Sequence, residues 1–302
     1  MRRCLALLLS LLTLSLGPAA LAQAKDPAAR IAVMTAFAPE IVTLSAKMED
    51  RQETIINGVS FTTGTLAGKR VVLFMSGVSM VNAAMTTQLA LDRFTIDRIV
   101  FSGVAGGVDP NLDVGDVIVA QQWGQYLESA MARQTPTGFE PPPSRNRGDG
   151  FANFGMIFPS SVDIARAPGP AEKRFWFQAD PAMLAVAQRV AAQVKLARCH
   201  DDLCLLKDPK VVVGGNGVSG PAFVDNAQLR EWAYSTFQAR VLDMETAAVG
   251  HVAYANGVPF IAFRSLSDLA GGDPGQNQAR AFYPLASENS AAVVLAFLEA
   301  LP

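Results

Sequence analysis

This chain is poor in histidine, in cysteine and in surplus positive charge. It has two histidines and three cysteines in 302 residues, and 25 Lys and Arg against 27 Asp and Glu, for a formal net charge of −2. His200 stands between cysteines and His251 lies in a helical stretch. No Ser-His-Asp constellation is readable, which sets serine-hydrolase chemistry aside. Nucleic-acid binding calls for a basic face that this balance does not supply. A zinc site needs four ligands at a characteristic spacing; Cys199, His200 and Cys204 lack both, so no metal is expected. Beyond the N-terminus no apolar run reaches the roughly 20 residues that span a bilayer. No internal repeat and no linker divides the chain.

What is present begins with an export signal. Met1-Arg2-Arg3 is a short positive segment, residues 5–16 are almost wholly apolar, and Ala20-Leu21-Ala22 is an A-x-A cleavage pattern. That order reads as a signal peptide over residues 1–22, a secreted or periplasmic mature protein, and no membrane attachment after cleavage. Cleavage removes two arginines and no acid, leaving residues 23–302 mildly acidic. Of the cysteines only Cys199 and Cys204 survive, and in an oxidising compartment two so close are expected to pair.

The mature chain alternates short β-branched runs with helical stretches, the pattern of an α/β fold with a largely parallel sheet. Strands are expected at 31–34, 60–66, 71–75, 98–101, 117–120, 210–213, 241–243 and 259–263. Helices are expected at 81–91, 181–194, 225–234 (opened by an acidic cap), 245–255 and 287–301. Between 121 and 180 the alternation breaks at Pro141-Pro142-Pro143, around Asn146 to Gly150 and at Ala167-Pro168-Gly169-Pro170. This reads as an insertion in a single domain, with Phe175-Trp176-Phe177 as its anchor.

In open α/β sheets ligands collect beyond the carboxyl ends of the strands. The residues expected there are Phe37 to Glu40, Ser102 to Gly107, Phe223, Asp243 to Glu245 and Arg264 to Asp268. Glu40 follows Pro39 at a helix start, where a carboxylate also serves the helix dipole. Gly103-Val104-Ala105-Gly106-Gly107 lets backbone approach a ligand, and without a following GK[ST] it is not a phosphate loop. Glu245 lies in the apolar stretch Val241-Leu242-Asp243-Met244-Glu245-Thr246-Ala247, where a buried carboxylate is costly unless bonded or needed. Arg264 and Asp268, near a strand end, suggest a substrate clamp.

Two patterns carry a resemblance: Gly103-x-Ala105-Gly106-Gly107 with Gly115-Asp116, and Asp243-Met244-Glu245-x-x-Ala248 followed by Arg264-x-x-Ser267-Asp268. In order and spacing the chain resembles the nucleosidase branch of the purine nucleoside phosphorylase superfamily, nearest 5′-methylthioadenosine/S-adenosylhomocysteine nucleosidase. The segment around 199–226 is also similar to plant bark storage proteins. The resemblance implies a three-layer α/β/α domain with a mixed, twisted central sheet, a homodimer, a small nucleoside substrate and no cofactor. It implies that Glu40 activates the attacking water, that Asp268, helped by Ser267, protonates N7 of the purine, and that Arg264 lies near the water. Met244 and Glu245 would contact the ribose, Phe223 would stack on the base, Phe37 would line the ribose side, and Gly106 would border the substrate. A free Asp has a pKa of about 3.9, so Asp268 needs desolvation or a neighbouring carboxylate to hold a proton. Bacterial hexameric phosphorylases present Arg and Ser where this chain has Phe101 and Val104, which favours water over phosphate. Nucleosidases tend to carry Ser or Thr where Val104 stands. A phosphorylase and a non-catalytic nucleoside-binding protein therefore remain as alternatives.

Overall fold

The computed structural model describes residues 25–145, 149–166 and 168–302. The signal peptide expected at 1–22, and residues 146–148 and 167 of the expected insertion, lie outside them. A twelve-stranded mixed sheet forms the middle layer, with helices on both faces. Its hub is the long strand Phe94–Gly107. That strand runs parallel to Asp26–Thr35 on one side and to Phe260–Asp268 on the other, while its far end pairs antiparallel with Ala239–Asp243. Val71, Val72, Leu73 and Phe74 are all buried, as expected of a strand covered on both faces. One core layer packs Ala83, Ala90, Ala247 and Val249 of two helices against Met34, Val72, Phe101 and Ala262. The opposite layer packs Met183, Val190, Val294, Phe297 and Leu298 against Val33, Leu73, Val100 and Phe263.

Several expected elements change in extent. The insertion is less irregular than its sequence: Gln122–Gln125 and Trp176–Gln178 at its two ends pair with each other and join the central sheet. Phe175 and Phe177 are buried, and Phe175 stacks on Phe237 with ring centroids 5.4 Å apart, so the aromatic anchor holds. Glu49–Ile56 is an unforeseen strand, because its charged, exposed sequence has no apolar alternation; such residues suit a sheet edge. The helix expected at 225–234 is Ala227–Phe237, capped by Asn226 and not by Asp225: the Asn226 side chain accepts from the Leu229 amide at 2.9 Å. The closing helix starts earlier, at Ala279, and runs to Ala300 through Pro284. It is long and apolar enough to cross a membrane by length and composition, yet Phe282, Leu285, Val293, Val294, Phe297 and Leu298 are buried inside the protein. Cys199 and Cys204 face each other across a two-stranded hairpin and form a disulfide.

The strand Phe260–Asp268 is the informative one. All nine residues are buried, although the sequence turns from Phe-Ile-Ala-Phe to Arg-Ser-Leu-Ser-Asp halfway along. The sequence reading ended it at 263 and put Asp268 past its end; the structure makes Asp268 its last residue. Buried polar residues of this kind demand partners, and those partners form the site.

Candidate active site

Three strands and the turns after them deliver the side chains to one place. After Asp26–Thr35 the chain turns at Phe37 into the helix Ala38–Ala46, with Pro39 in its first turn and Glu40 one residue later. Glu40 reaches back to accept from the amides of Ala36 at 2.6 Å and Phe37 at 3.3 Å, and its other oxygen accepts from Val104 at 2.8 Å. Burial nevertheless raises its pKa above the ordinary carboxylate value, against the lowering pull of Arg264 and of those three amides.

Arg264 is wholly buried beneath this carboxylate. Its Nε lies 2.7 Å from Asp243 and donates to Thr246 Oγ1 at 2.9 Å, and its Cζ sits 4.0 Å from the centre of the Phe101 ring. The two terminal nitrogens point toward Glu40 at 3.8 Å and Glu245 at 3.6 Å, at ion-pair distance, and neither makes a hydrogen bond among the described residues. The opposing strand allows this because Gly103 has no side chain: a Cβ there would stand 1.9 Å from Arg264 Nη1 and 2.6 Å from Glu40 Oε1.

Asp243 is tied to Ser219 Oγ, Thr246 Oγ1 and the Glu245 and Thr246 amides. It thereby starts the helix Thr246–Asn256 and aims Glu245 at the cavity. Glu245 accepts from the Ser79 amide at 2.7 Å, and Ser79 adopts the left-handed region at φ 79°. Such backbone persists where surrounding structure holds it, and it clusters at functional sites. Burial pushes the Glu245 carboxyl up to about 7, with Asp243 and Glu40 adding to the rise and Arg264 opposing it.

Asp268 lines the same cavity. Its carboxyl accepts from the Ala270 amide and Ser267 Oγ, both at 2.9 Å, and from Asn277 Nδ2 at 3.4 Å. Burial raises its pKa above that of a free aspartate, with a further push from Asp273, while those three hydrogen bonds pull the other way. Of the two causes named from sequence, desolvation leads.

A cavity of about 270 Å³ opens above these groups, bordered by Phe37, Glu40, Gly106, Phe223, Met244, Glu245, Ser267 and Asp268. The family model of the phosphorylase superfamily matches residues 30–299. This chain belongs to that superfamily. It is 30% identical over 271 residues to a 5′-methylthioadenosine/S-adenosylhomocysteine nucleosidase from Geobacillus thermodenitrificans, covering 89% of this chain and 96% of the relative. It is 31% identical to the Lysinibacillus sphaericus nucleosidase of the same name, covering 90% and 100%. Among solved structures, the Neisseria meningitidis nucleosidase in complex with methylthio-immucillin-A superposes with a TM-score of 0.68 at 25% identity, covering 90% of this chain and 99% of that one.

In this superfamily member eight of the nine residues expected at the site line the one cavity. Arg264 does not line it: it lies underneath, facing Glu40 and Glu245. Among the described residues no group of three or more His, Cys, Asp and Glu is arranged to hold a metal; the cation among Glu40, Asp243 and Glu245 is the guanidinium itself. Neither histidine borders the cavity: His251 stacks on Phe177 and His200 bonds Glu288. Sequence reasoning missed Ser79, Thr246, Asn277 and Tyr283. The first three act through backbone placement or as partners of a carboxylate, which no spacing signals. Tyr283 lay ahead of the point where the last helix was expected to begin. A second cavity, by Asp180, Tyr254 and Pro259, adjoins the opposite end of the Phe260–Asp268 strand and carries none of this chemistry.

Proposed function

We propose that this protein hydrolyses the N-glycosidic bond of adenine-type nucleosides or thionucleosides. The observation that carries the reading is one cavity lined both by a buried glutamate that faces an arginine and by a buried aspartate raised toward its protonated form. A water bound by Glu40 would stand over Arg264, whose terminal nitrogens face Glu40 at 3.8 Å and Glu245 at 3.6 Å and hold the two carboxylates in place. Glu40 takes a proton from that water as its oxygen attacks C1′. The C1′–N9 bond breaks, its electron pair goes to the purine, and Asp268 supplies the proton to N7. Glu245 holds the ribose hydroxyls, with Met244 beside it, and Glu40 and Glu245 together favour the developing positive charge on the sugar. Phe223, more than half exposed at the mouth, covers the base.

Water is favoured over phosphate by two residues. Phe101 is occupied as the floor of Arg264, and Val104 offers only its backbone amide, already given to Glu40. The named relatives are nucleosidases. The test is free-base release from adenosine, methylthioadenosine and inosine, with and without phosphate. Adenine release without phosphate supports hydrolysis, a requirement for phosphate would replace it with phosphorolysis, and saturable binding without release would leave a nucleoside-binding protein.

We further infer that residues 23–302 form one domain that works outside the cytoplasm. The N-terminal segment has the order of an export signal, and the Cys199–Cys204 disulfide suits an oxidising compartment. A homodimer is supported by exposed Val78 at the cavity rim and exposed Val81 and Met85 one turn apart on the next helix; sedimentation of the mature protein as a monomer would remove it.

A further inference from the structure

One polar side chain on the cavity wall is left without a function by the hydrolysis scheme. Asp268, Ser267 and Phe223 serve the base, Met244 and Glu245 the ribose hydroxyls, and Glu40 the face attacked by water. Of the remaining lining residues, all but Asp243 and Tyr283 are apolar or glycine, and Asp243 is already bonded within the site. Tyr283 packs on Phe37, which the resemblance sets on the ribose side, and Val78 precedes Ser79, whose amide holds the ribose-binding Glu245. Tyr283 carries a phenol that the scheme does not use.

Tyr283 comes from the first turns of the closing helix Ala279–Ala300. Its ring packs edge-on against Phe37, centroids 5.4 Å apart and planes at 76°, which fixes the ring at the cavity wall. The hydroxyl makes no hydrogen bond to another described residue. Burial, and then the charges of Asp268 and Glu40, raise the phenol above its ordinary pKa, so at neutral pH it is a proton donor. A half-buried hydroxyl that loses water when a ligand enters must find a partner in that ligand or weaken binding.

We propose that Tyr283 reads the 5′ substituent, donating a hydrogen bond to an oxygen there, so that this site selects nucleosides with a 5′-oxygen over those with a 5′-thioether or a bare 5′-methyl. The proposal rests on the nucleosidase reading for the orientation of the substrate. Its chemistry is that of acceptor strength: a hydroxyl oxygen accepts from a phenol well, a thioether sulfur weakly, and a methyl group not at all. A site built to bond a hydroxyl discriminates against an analogue without it because its own polar group is left unpaired.

The experiment compares kcat/KM for adenosine, 5′-deoxyadenosine and methylthioadenosine in the wild type and in Y283F, which keeps the ring against Phe37 and removes only the hydroxyl. The expected result is a fall of about five- to tenfold in the adenosine to 5′-deoxyadenosine ratio, the size of one neutral hydrogen bond, with the adenosine to methylthioadenosine ratio falling alongside. Unchanged ratios, or an equal loss on all three substrates, would overturn the proposal and leave Tyr283 as packing. If the wild type releases adenine from none of them, the nucleosidase reading fails; the ratios of dissociation constants for the same nucleosides, measured by calorimetry on both proteins, then decide the role of Tyr283.

Discussion

Gly103 is the position at which the packing argument can be broken most sharply. In Gly103→Ala the new methyl would stand 1.9 Å from Arg264 Nη1, 2.6 Å from Glu40 Oε1 and 3.1 Å from Arg264 Cζ. None of those atoms has room to retreat. Arg264 is wholly buried, its Nε is held by Asp243 and Thr246, and its flat face rests on Phe101. Glu40 is fastened by three amides. Either the two strands part, at the overpacking cost of about 1–3 kcal/mol, or the guanidinium swings away and leaves Asp243 as a buried, unpaired charge, which costs about 3–5 kcal/mol. The expected loss of stability is therefore about 2–4 kcal/mol, read from urea unfolding of the variant and the wild type. In the folded fraction Arg264 no longer positions Glu40, and adenine release falls by about a hundredfold or more, since a displacement near 1 Å at a reacting group has that effect. A variant whose unfolding midpoint and rate both match the wild type would refute the close approach of Gly103 to Arg264 and the role given to that arginine.

Other expectations follow from the carboxylates and the disulfide. Glu40→Gln and Asp268→Asn each remove a proton-transfer group and are expected to lower adenine release by about 10²–10⁴-fold with an unaltered circular dichroism spectrum; near-normal rates in either would take that residue out of the mechanism. Because the Asp268 pKa is raised, base release should decline on the alkaline side as Asp268 loses its proton, and a flat profile from acid to alkaline pH would count against it as the acid. Glu245 is raised from its ordinary value to about 7, so the folded state favours its protonated form. Its contribution to stability is complete below the unfolded pKa and is lost as pH rises toward and through 7. The difference in unfolding free energy between wild type and Glu245→Gln should therefore shift against the wild type between pH 4.5 and 8, by no more than about 3 kcal/mol; urea titrations across that range would show it. Replacing Cys199 and Cys204 by Ser together should cost about 2 kcal/mol or less for so short a loop, with base release unchanged because the hairpin lies outside the cavity.

Much of the site was legible because its residues follow strand ends. An apolar run such as Phe260-Ile261-Ala262-Phe263, followed at once by Arg264 and Asp268, announces both a buried strand and polar groups at its end. The same logic located Glu40 after Ile31 to Met34, and Glu245 after Val241-Leu242. Less legible were elements whose local sequence opposes their structure. Pro284 hid the first turns of the last helix and with them Tyr283. The loop-like composition of 121–180 hid two strands of the central sheet, which exist because Trp123 and Phe177 are buried there in register.

Local sequence determined the α/β class, the pairing of the two cysteines and the strand-end segments that hold the site, because periodicity and turn chemistry act over a few residues; the layering and the part of each site residue came from the family resemblance. The tertiary structure alone decided what those residues are to one another. Glu40, Gly103 and Arg264 are far apart along the chain, and only the pairing of Phe94–Gly107 with Phe260–Asp268 sets Gly103 opposite Arg264. That register leaves a guanidinium with no room but the space beneath Glu40, and burial, which no short segment can confer, raises Glu40, Glu245 and Asp268 above the pKa of a free carboxyl.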